Sequence, residues 1–155
     1  MSSEKIMSIS LNPFFCSKLL HHFISGYNKD AELPLIYLVL PYLLYQPSRN
    51  VLASANSRSS IHSLFTDNDK NINIAGIEER YHTYKQLTNQ SLIVACNENL
   101  INLSGRNIIL SRYVNYQKET DTLLKQYYRA AHYLGKIFSN YRTIDIFIKS
   151  GVNKI

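Results

Sequence analysis

The stretch Leu100-Ile-Asn-Leu-Ser-Gly-Arg-Asn-Ile-Ile-Leu110 decides the fold class of this chain. Its two short apolar runs, residues 100–103 and 108–110, lie on either side of the turn-forming residues 104–107. This arrangement is typical of a β-hairpin, because a glycine-containing turn reverses the chain between two strands. The segments on both sides carry helical signals. The sequence therefore predicts an α+β protein, mainly α with a small β-hairpin.

A first helix is predicted over residues 13–25. Asn12 places a capping side chain directly before Pro13, and proline is well suited to the first position of a helix. The apolar residues that follow recur at helical spacing. Gly26 is expected to end the helix.

The longest apolar run, residues 33–45, contains a second helix that begins at Pro34. Because this run is apolar on all sides, we expect a buried central helix with Leu38 and Leu40 inside the core. Pro41 should kink it by removing one backbone hydrogen bond. Thirteen residues are too few to cross a bilayer, which needs about 20, so no membrane contact is expected.

A polar stretch, residues 48–60, is expected to form a loop. The remaining predicted helices cover residues 59–65, 71–85, 88–99, 117–141 and 143–149. Three helices followed by the hairpin 100–110 have the element order of a winged helix, although a hairpin after helices is also common in other α+β domains. We therefore expect one domain, residues 1–155, with a winged-helix-like core and flanking N- and C-terminal helices. Its parts are a helical N-terminal part (12–66), a winged-helix-like part (about 59–110) and C-terminal helices (117–150).

Composition excludes several classes of protein. The 155 residues are 45% hydrophobic and carry dispersed charges, which suits a globular domain and not a disordered chain. Five glycines, four prolines and two cysteines exclude collagen, a disulfide scaffold and a zinc ribbon. Residues 1–10 lack the basic and apolar regions of a signal peptide. We therefore expect a cytoplasmic protein whose Cys16 and Cys96 are reduced core thiols.

The sequence offers little chemistry. None of its glycines lies in a phosphate-binding G-x-x-x-x-G-K-S/T or G-x-G-x-x-G motif, so ATP hydrolysis is expected to belong to another protein. The adjacent His21 and His22 point about 100° apart on a helix, which disfavours a shared metal ion. A nucleophilic pair of Cys16 with either histidine is conceivable, but the apolar neighbours of Cys16 favour a core thiol. We expect no enzyme, no metal and no cofactor.

The net charge of +6 arises entirely from the last fifty residues. On the predicted long helix, Lys118, Lys125, Arg129 and Lys136 fall within about 20° of one direction and form a basic line about 27 Å long. An apolar face lies opposite. The line is a candidate contact for DNA or for an acidic partner, and an ordinary solvated face is the third interpretation.

Four segments, in order, carry a resemblance to a known family. They are Asn12-Pro13; Pro34-Leu-Ile-Tyr-Leu-Val-Leu-Pro41 with Pro47-Ser48-Arg49; Ala130-Ala-His-Tyr-Leu-Gly-Lys136; and Thr143-Ile-Asp-Ile-Phe147 with Gly151-Val152. Together they resemble the middle component of three-component ABC systems, the small subunit found in Lamassu-type defence operons. The resemblance spans nearly the whole chain.

The resemblance implies a prokaryotic defence complex against phage or plasmid DNA. Its other members would be an ABC ATPase related to SMC and Rad50-type proteins and a nuclease-type effector. This chain would be a non-catalytic adaptor subunit that joins them and helps to sense foreign DNA, similar in role to the winged-helix subunits of SMC complexes. DNA would then be reached through the assembled complex.

The alternative function is a free-standing winged-helix DNA-binding regulator. Such a regulator places basic residues on the helix before the wing, because that helix enters the major groove. The predicted helix 88–99 contains no Lys or Arg and carries Glu98. The sequence therefore favours the adaptor over the regulator.

Overall fold

The computed structural model describes residues 11–153, and within that range the chain is mostly helical with one small sheet. The elements, in order, are α1 (Pro13–Tyr27), β1 (Ala31–Glu32), α2 (Leu33–Ile36), α3 (Val39–Leu43), α4 (Gln46–Ala53), a π-helical turn (His62–Thr66), a 3₁₀ helix (Asn68–Ile74), α5 (Ile77–Thr83), α6 (Lys85–Asn97), β2 (Ile101–Ser104), β3 (Asn107–Leu110), a 3₁₀ turn (Tyr116–Lys118), α7 (Thr122–Phe138) and α8 (Thr143–Ser150). The fold class predicted from the sequence is confirmed. The expectation that residues 1–10 hold no signal peptide lies outside the described residues.

Helix α1 packs against α7 at the centre of the molecule. Its N-terminus is capped as predicted, since the Asn12 side chain accepts a hydrogen bond from the backbone N–H of Phe14 at 2.8 Å. Its predicted end is wrong, because α1 continues past Gly26 and ends at Asn28, which adopts a left-handed conformation with φ 57°. Asparagine accepts that conformation more readily than most residues.

Two glycines bring α1 and α7 into close contact. A Cβ atom on Gly26 would collide with the backbone carbonyl of His132, and one on Gly135 would collide with the backbone carbonyl of Phe23. The two helices therefore approach backbone to backbone, and each needs a residue without a side chain at the crossing. The close approach of the two helices therefore explains why residue 26 is a glycine. The helix end that the sequence predicted at this position does not.

Residues 34–45 form two short helices where one kinked helix was predicted. Pro41 has no N–H to offer the carbonyl of Tyr37, four residues earlier, and the chain breaks between α2 and α3 at Tyr37 and Leu38. Leu38 and Leu40 are fully buried, as predicted. The proline thus divides the buried segment while leaving both parts in the core.

The loop predicted over residues 48–60 is wrong in its first half. Pro47 lies in the first turn of α4, which continues to Ala53, and proline is accepted there because the first N–H groups of a helix have no partner within it. Pro47 was expected to follow the end of the preceding helix, and it lies instead in the first turn of a helix that the sequence did not predict.

The region predicted as helices 59–65 and 71–85 is more irregular than expected. Residues 62–74 form the π-helical turn and the 3₁₀ helix, and α5 begins only after Gly76. This stretch is rich in Asn, Asp and Ser, whose side chains compete with helical hydrogen bonds. The break before α6 lies at Tyr84, whereas the predicted helices 71–85 and 88–99 leave it at residues 86–87. Of the three helices predicted for a winged helix, only 88–99 corresponds to one long α-helix, α6.

The predicted hairpin is present and gains a third strand. Strands β2 and β3 pair antiparallel with Leu103 opposite Ile108, and β1 pairs with the other edge of β3, giving the order β1-β3-β2. The backbone N–H of Leu33 extends this pairing by donating to the carbonyl of Arg106 at 2.8 Å. A strand of two residues is too short to show alternation, which is why the sequence pattern did not predict β1.

Buried side chains from α1 to α8 form one continuous cluster in the described range. Helix α8 ends at Ser150, within one residue of its predicted end, and is followed by Gly151 as C-cap with φ 79°. It is fixed to the core by a hydrogen bond between the hydroxyls of Ser150 and Tyr42, 2.6 Å apart. Between residues 11 and 153, no helix has both the length and the apolar character needed to cross a membrane.

Candidate interaction site

Helix α7 has the apolar face that the sequence predicted. Its buried residues on that face include Tyr127, Ala131, Leu134 and Phe138. They pack mainly against α1. The other face carries the predicted basic line, and the four residues of this line differ in position and in surroundings.

Lys118 does not lie on α7. The predicted start of the helix at 117 is wrong, because the side chain of Asp121 accepts a hydrogen bond from the N–H of Leu124 at 2.9 Å and begins the helix at Thr122. Lys118 instead ends the preceding 3₁₀ turn, Tyr116–Lys118, and is exposed. The continuous helical line of four cations is therefore interrupted at its N-terminal end.

Arg129 lies on α7, as predicted. Its side chain was expected on the exposed basic line, but it does not extend into solvent. Its Nε donates to the carbonyl of Ala53 at 2.6 Å and its Nη2 to the carbonyl of Ala55 at 2.9 Å. Its Nη1 donates to the hydroxyl of Tyr116 at 2.7 Å, and the guanidinium lies 4.5 Å from the ring centre of Tyr133. A cation at the end of α4 satisfies carbonyls that lack helical partners. The spacing of four between Arg129 and Tyr133 is a signal in the sequence for the ring contact alone, because the carbonyls of Ala53 and Ala55 lie more than seventy residues away.

Lys125 and Lys136 remain as the exposed cations of α7. They are eleven residues apart, or about 16 Å along the helix, and share the direction that the sequence predicted. The ammonium of Lys136 lies 5.8 Å from the ring centre of Tyr133, next to Arg129. We define Lys118, Lys125 and Lys136 as the lysine set, the part of the predicted basic line that is exposed.

Two further arginines repeat the arrangement of Arg129. Arg49 donates to the carbonyl of Leu43 at the end of α3 at 2.9 Å, and Arg80 donates to the carbonyl of Pro41 at 3.0 Å. Each guanidinium lies over a tyrosine ring, at 4.3 Å and 3.9 Å, and burial lowers the pKa of both groups. Sequence analysis missed both roles, because the partner carbonyls and rings lie on other elements.

The adjacent histidines line an open hollow of about 500 Å³. Nε2 of His21 donates to the carbonyl of Arg112 at 2.6 Å, and the ring of His22 stacks on that of Tyr128 with centres 4.2 Å apart. Burial lowers the pKa of His22 to about 3, so the ring is neutral at neutral pH. The neutral His22 ring therefore packs at the contact between α1 and α7, whereas His21 connects α1 to the segment that follows β3.

Cys16 is fully buried, and burial raises the pKa of its thiol to about 12. The thiolate that a nucleophile or metal ligand requires is therefore disfavoured at neutral pH. Across residues 11–153, no three His, Cys, Asp or Glu side chains are grouped so as to hold a metal ion.

A wider groove lies beside the turn between α7 and α8. Its volume is about 850 Å³. Residues from the end of α1, from β1 and α2, and from the start of α8 line it. The next turn of α8 extends this surface, since Ile144 and Ile148 are 53% and 68% exposed.

A family model described as ABC-three component (ABC-3C) system Middle Component 3 matches residues 2–154. Neither the comparison with curated proteins nor the comparison with solved structures gave a match. The family match covers nearly the whole chain and confirms the resemblance carried by the four sequence segments. The chain therefore belongs to the Middle Component 3 family of ABC-three component systems.

Proposed function

We propose that this chain is a non-catalytic adaptor subunit that links an SMC/Rad50-like ABC ATPase to a nuclease-type effector. The complex would act in the cytoplasm of a prokaryote as a Lamassu-type antiviral defence against phage or plasmid DNA. The observation that carries the proposal is the family match over residues 2–154, since a middle component works together with the other components of its ABC system.

The surroundings of the reactive side chains support a non-catalytic role. Cys16 is held as a buried thiol, and His22 is held as a neutral ring against Tyr128. Three arginines, a residue type suited to binding an anionic substrate, instead satisfy backbone carbonyls at helix ends. These groups contribute to the fold and leave recognition to the surface.

The sheet order supports a winged-helix-like arrangement in which β1 completes the wing. The sheet order β1-β3-β2 places β3 in the centre and gives the wing a strand from the N-terminal half of the chain. The continuous core cluster supports a single domain. Helix α6 carries one cation, Lys85, which lies 5.0 Å from the ring centre of Tyr81, so this helix favours the adaptor over a regulator that reads DNA in the major groove.

DNA contact in the assembled complex would be made by the lysine set: Lys118, Lys125 and Lys136. Their ammonium groups can neutralise phosphates without reading bases. Arg129, with which they were first grouped, supports the fold. An acidic surface of the ATPase or effector is the alternative partner for these lysines.

Co-expression with the other two components tests the adaptor role. We expect a tagged ATPase to retain the effector only when this chain is present, and deletion of this chain to abolish protection against phage or plasmid. Calorimetry on this chain alone should detect no ATP binding at micromolar concentration, because it lacks a phosphate-binding loop. A complex that assembles and protects without this chain would exclude the proposal.

A further inference from the structure

We infer that the groove between the α1–β1 region and the α7–α8 turn, together with the exposed face of α8, docks a basic segment with apolar anchors from one of the other two components. This inference rests on the proposed adaptor function. We call this surface the α8 groove and define it by Asp30, Glu32, Pro34, Ile144, Phe147 and Ile148.

The apolar part of the α8 groove is a helix face that no other element covers within residues 11–153. On α8, Ile146 and Phe147 are buried against the core, whereas Ile144 and Ile148 point to solvent. Their spacing of four places both isoleucines on the same side of the helix, next to the groove that Ile144 and Phe147 line. Adjacent exposed apolar side chains beside a groove are typical of a protein-binding surface.

The charges at the rim indicate the chemistry of the partner. Arg142 is neutralised by Asp145, with Nε and Oδ2 2.9 Å apart. The ammonium of Lys29 donates to the carbonyl of Ser139 at 2.8 Å, which satisfies the end of α7. In the range 11–153, Asp30 and Glu32 are exposed carboxylates without an ion-pair partner.

The hydrogen bond of Lys29 leaves its charge in place, so Lys29, Asp30 and Glu32 together give the rim a net charge of −1 on a chain whose net charge is +6. A basic partner segment would be repelled by much of the surface and attracted here, so the charge would orient docking as well as strengthen it. A segment with Lys or Arg beside apolar anchors therefore fits both parts of the α8 groove.

The lining disfavours a small polar ligand. Such ligands are held by a few buried polar groups that converge on the pocket. Buried side-chain atoms without a hydrogen-bond partner, as far as the chain is described, belong to His22, Ser48, Arg80, Thr88 and His132. None of these residues lines the α8 groove. The open apolar floor and exposed helix face thus fit a protein segment better than a metabolite.

The first test compares two pairs of exposed isoleucines in the assembled complex. The pair Ile144→Ser with Ile148→Ser should weaken binding of this chain to the purified remainder of the complex at least tenfold, since apolar anchors dominate such contacts. The control pair Ile72→Ser with Ile93→Ser removes isoleucines of similar exposure, 66% and 61%, and should leave affinity within twofold. Equal affinities for both pairs would overturn the inference.

The second test removes the acidic rim. Asp30→Asn with Glu32→Gln should weaken binding three- to tenfold at low salt and reduce its dependence on salt. The control pair Asp69→Asn with Glu79→Gln removes two other exposed carboxylates and should change neither. Unchanged affinity for the rim variant would exclude a basic partner.

A photo-crosslinker at Ile148 identifies the occupant directly. We expect crosslinks, mapped by mass spectrometry, to a segment of the ATPase or effector that contains Lys or Arg beside apolar residues. Crosslinks to a second copy of this chain, or to an acidic segment, would overturn the inference while leaving the adaptor function intact. If the wild-type chain binds neither component, the proposed function fails and the inference fails with it.

Discussion

The two sides of α7 differ in how they use their residues. On the side of α1, Gly26 and Gly135 bring two backbones into contact, and large side chains fill the space around them. On the other side, Arg129 satisfies the end of α4 while Lys125 and Lys136 extend into water. One helix therefore carries a region that tolerates almost no added volume and a region that is free to meet a partner.

The largest expected effect is at the helix crossing. Gly135→Ala places a methyl group against the backbone of Phe23, which cannot move as a flexible side chain would. We expect a loss of about 3 kcal/mol or more in the free energy of unfolding, measured by urea denaturation. The control Gly105→Ala, at a hairpin turn with φ 60° and open space, should cost about 1 kcal/mol. Equal losses would show that the helices do not meet backbone to backbone.

Lowering the pH tests the packed side of α7 in a second way, through the buried ring of His22. Its pKa is about 3 in the folded protein against an ordinary 6.5, so the unfolded chain takes up a proton first as the pH falls. The contribution of the neutral His22 ring to the free energy of unfolding is present above pH 6.5. It is lost as the pH falls from there towards 3. From pH 7 to pH 5, this group should cost about 2 kcal/mol of the unfolding free energy.

The variant His22→Gln isolates that contribution in urea denaturation curves recorded at both pH values. Its stability should fall less between pH 7 and pH 5 than that of the wild type. A His22→Gln profile parallel to the wild type would show that the buried ring does not sense the pH.

Substitution of Arg129 tests whether the other side of α7 contributes to the stability of the fold or is only a solvent-exposed surface. Arg129→Ala leaves the carbonyls of Ala53 and Ala55 without their donors, and we expect a loss of about 2 kcal/mol by thermal or urea unfolding. Arg129→Lys should recover only part of it, because an ammonium cannot reproduce the planar guanidinium. Lys125→Ala should cost less than about 0.5 kcal/mol. A similar cost for Arg129 and Lys125 would show that Arg129 is a solvated cation like the two lysines of α7.

The sequence predicted regular features well and long-range ones poorly. The hairpin, the Asn12 cap and the apolar face of α7 depend on neighbours within a few residues, and all three are confirmed. The roles of Gly26 and Arg129 depend on backbone groups more than seventy residues away, which no local pattern reports. Within the candidate site, helical geometry identified the direction of Lys125 and Lys136, but it could not show that α4 ends beneath Arg129.

The lysine set should have the smallest effect on stability and the clearest effect on binding. Because Lys118, Lys125 and Lys136 are exposed, changing all three to Gln should leave the melting temperature within about 2 °C of the wild type. If they neutralise phosphates in the complex, the slope of log affinity for DNA against log salt should fall by about 2.7, or 0.9 for each lysine, without a change in base preference. Lys70→Gln, an exposed control on the 3₁₀ helix Asn68–Ile74, should leave the slope unchanged. An unchanged slope combined with loss of the ATPase or effector from the complex would assign the lysines to an acidic protein surface. If neither property changed, the exposed side of α7 would be a solvated face, and the α8 groove would remain as the surface on which this chain meets its partners.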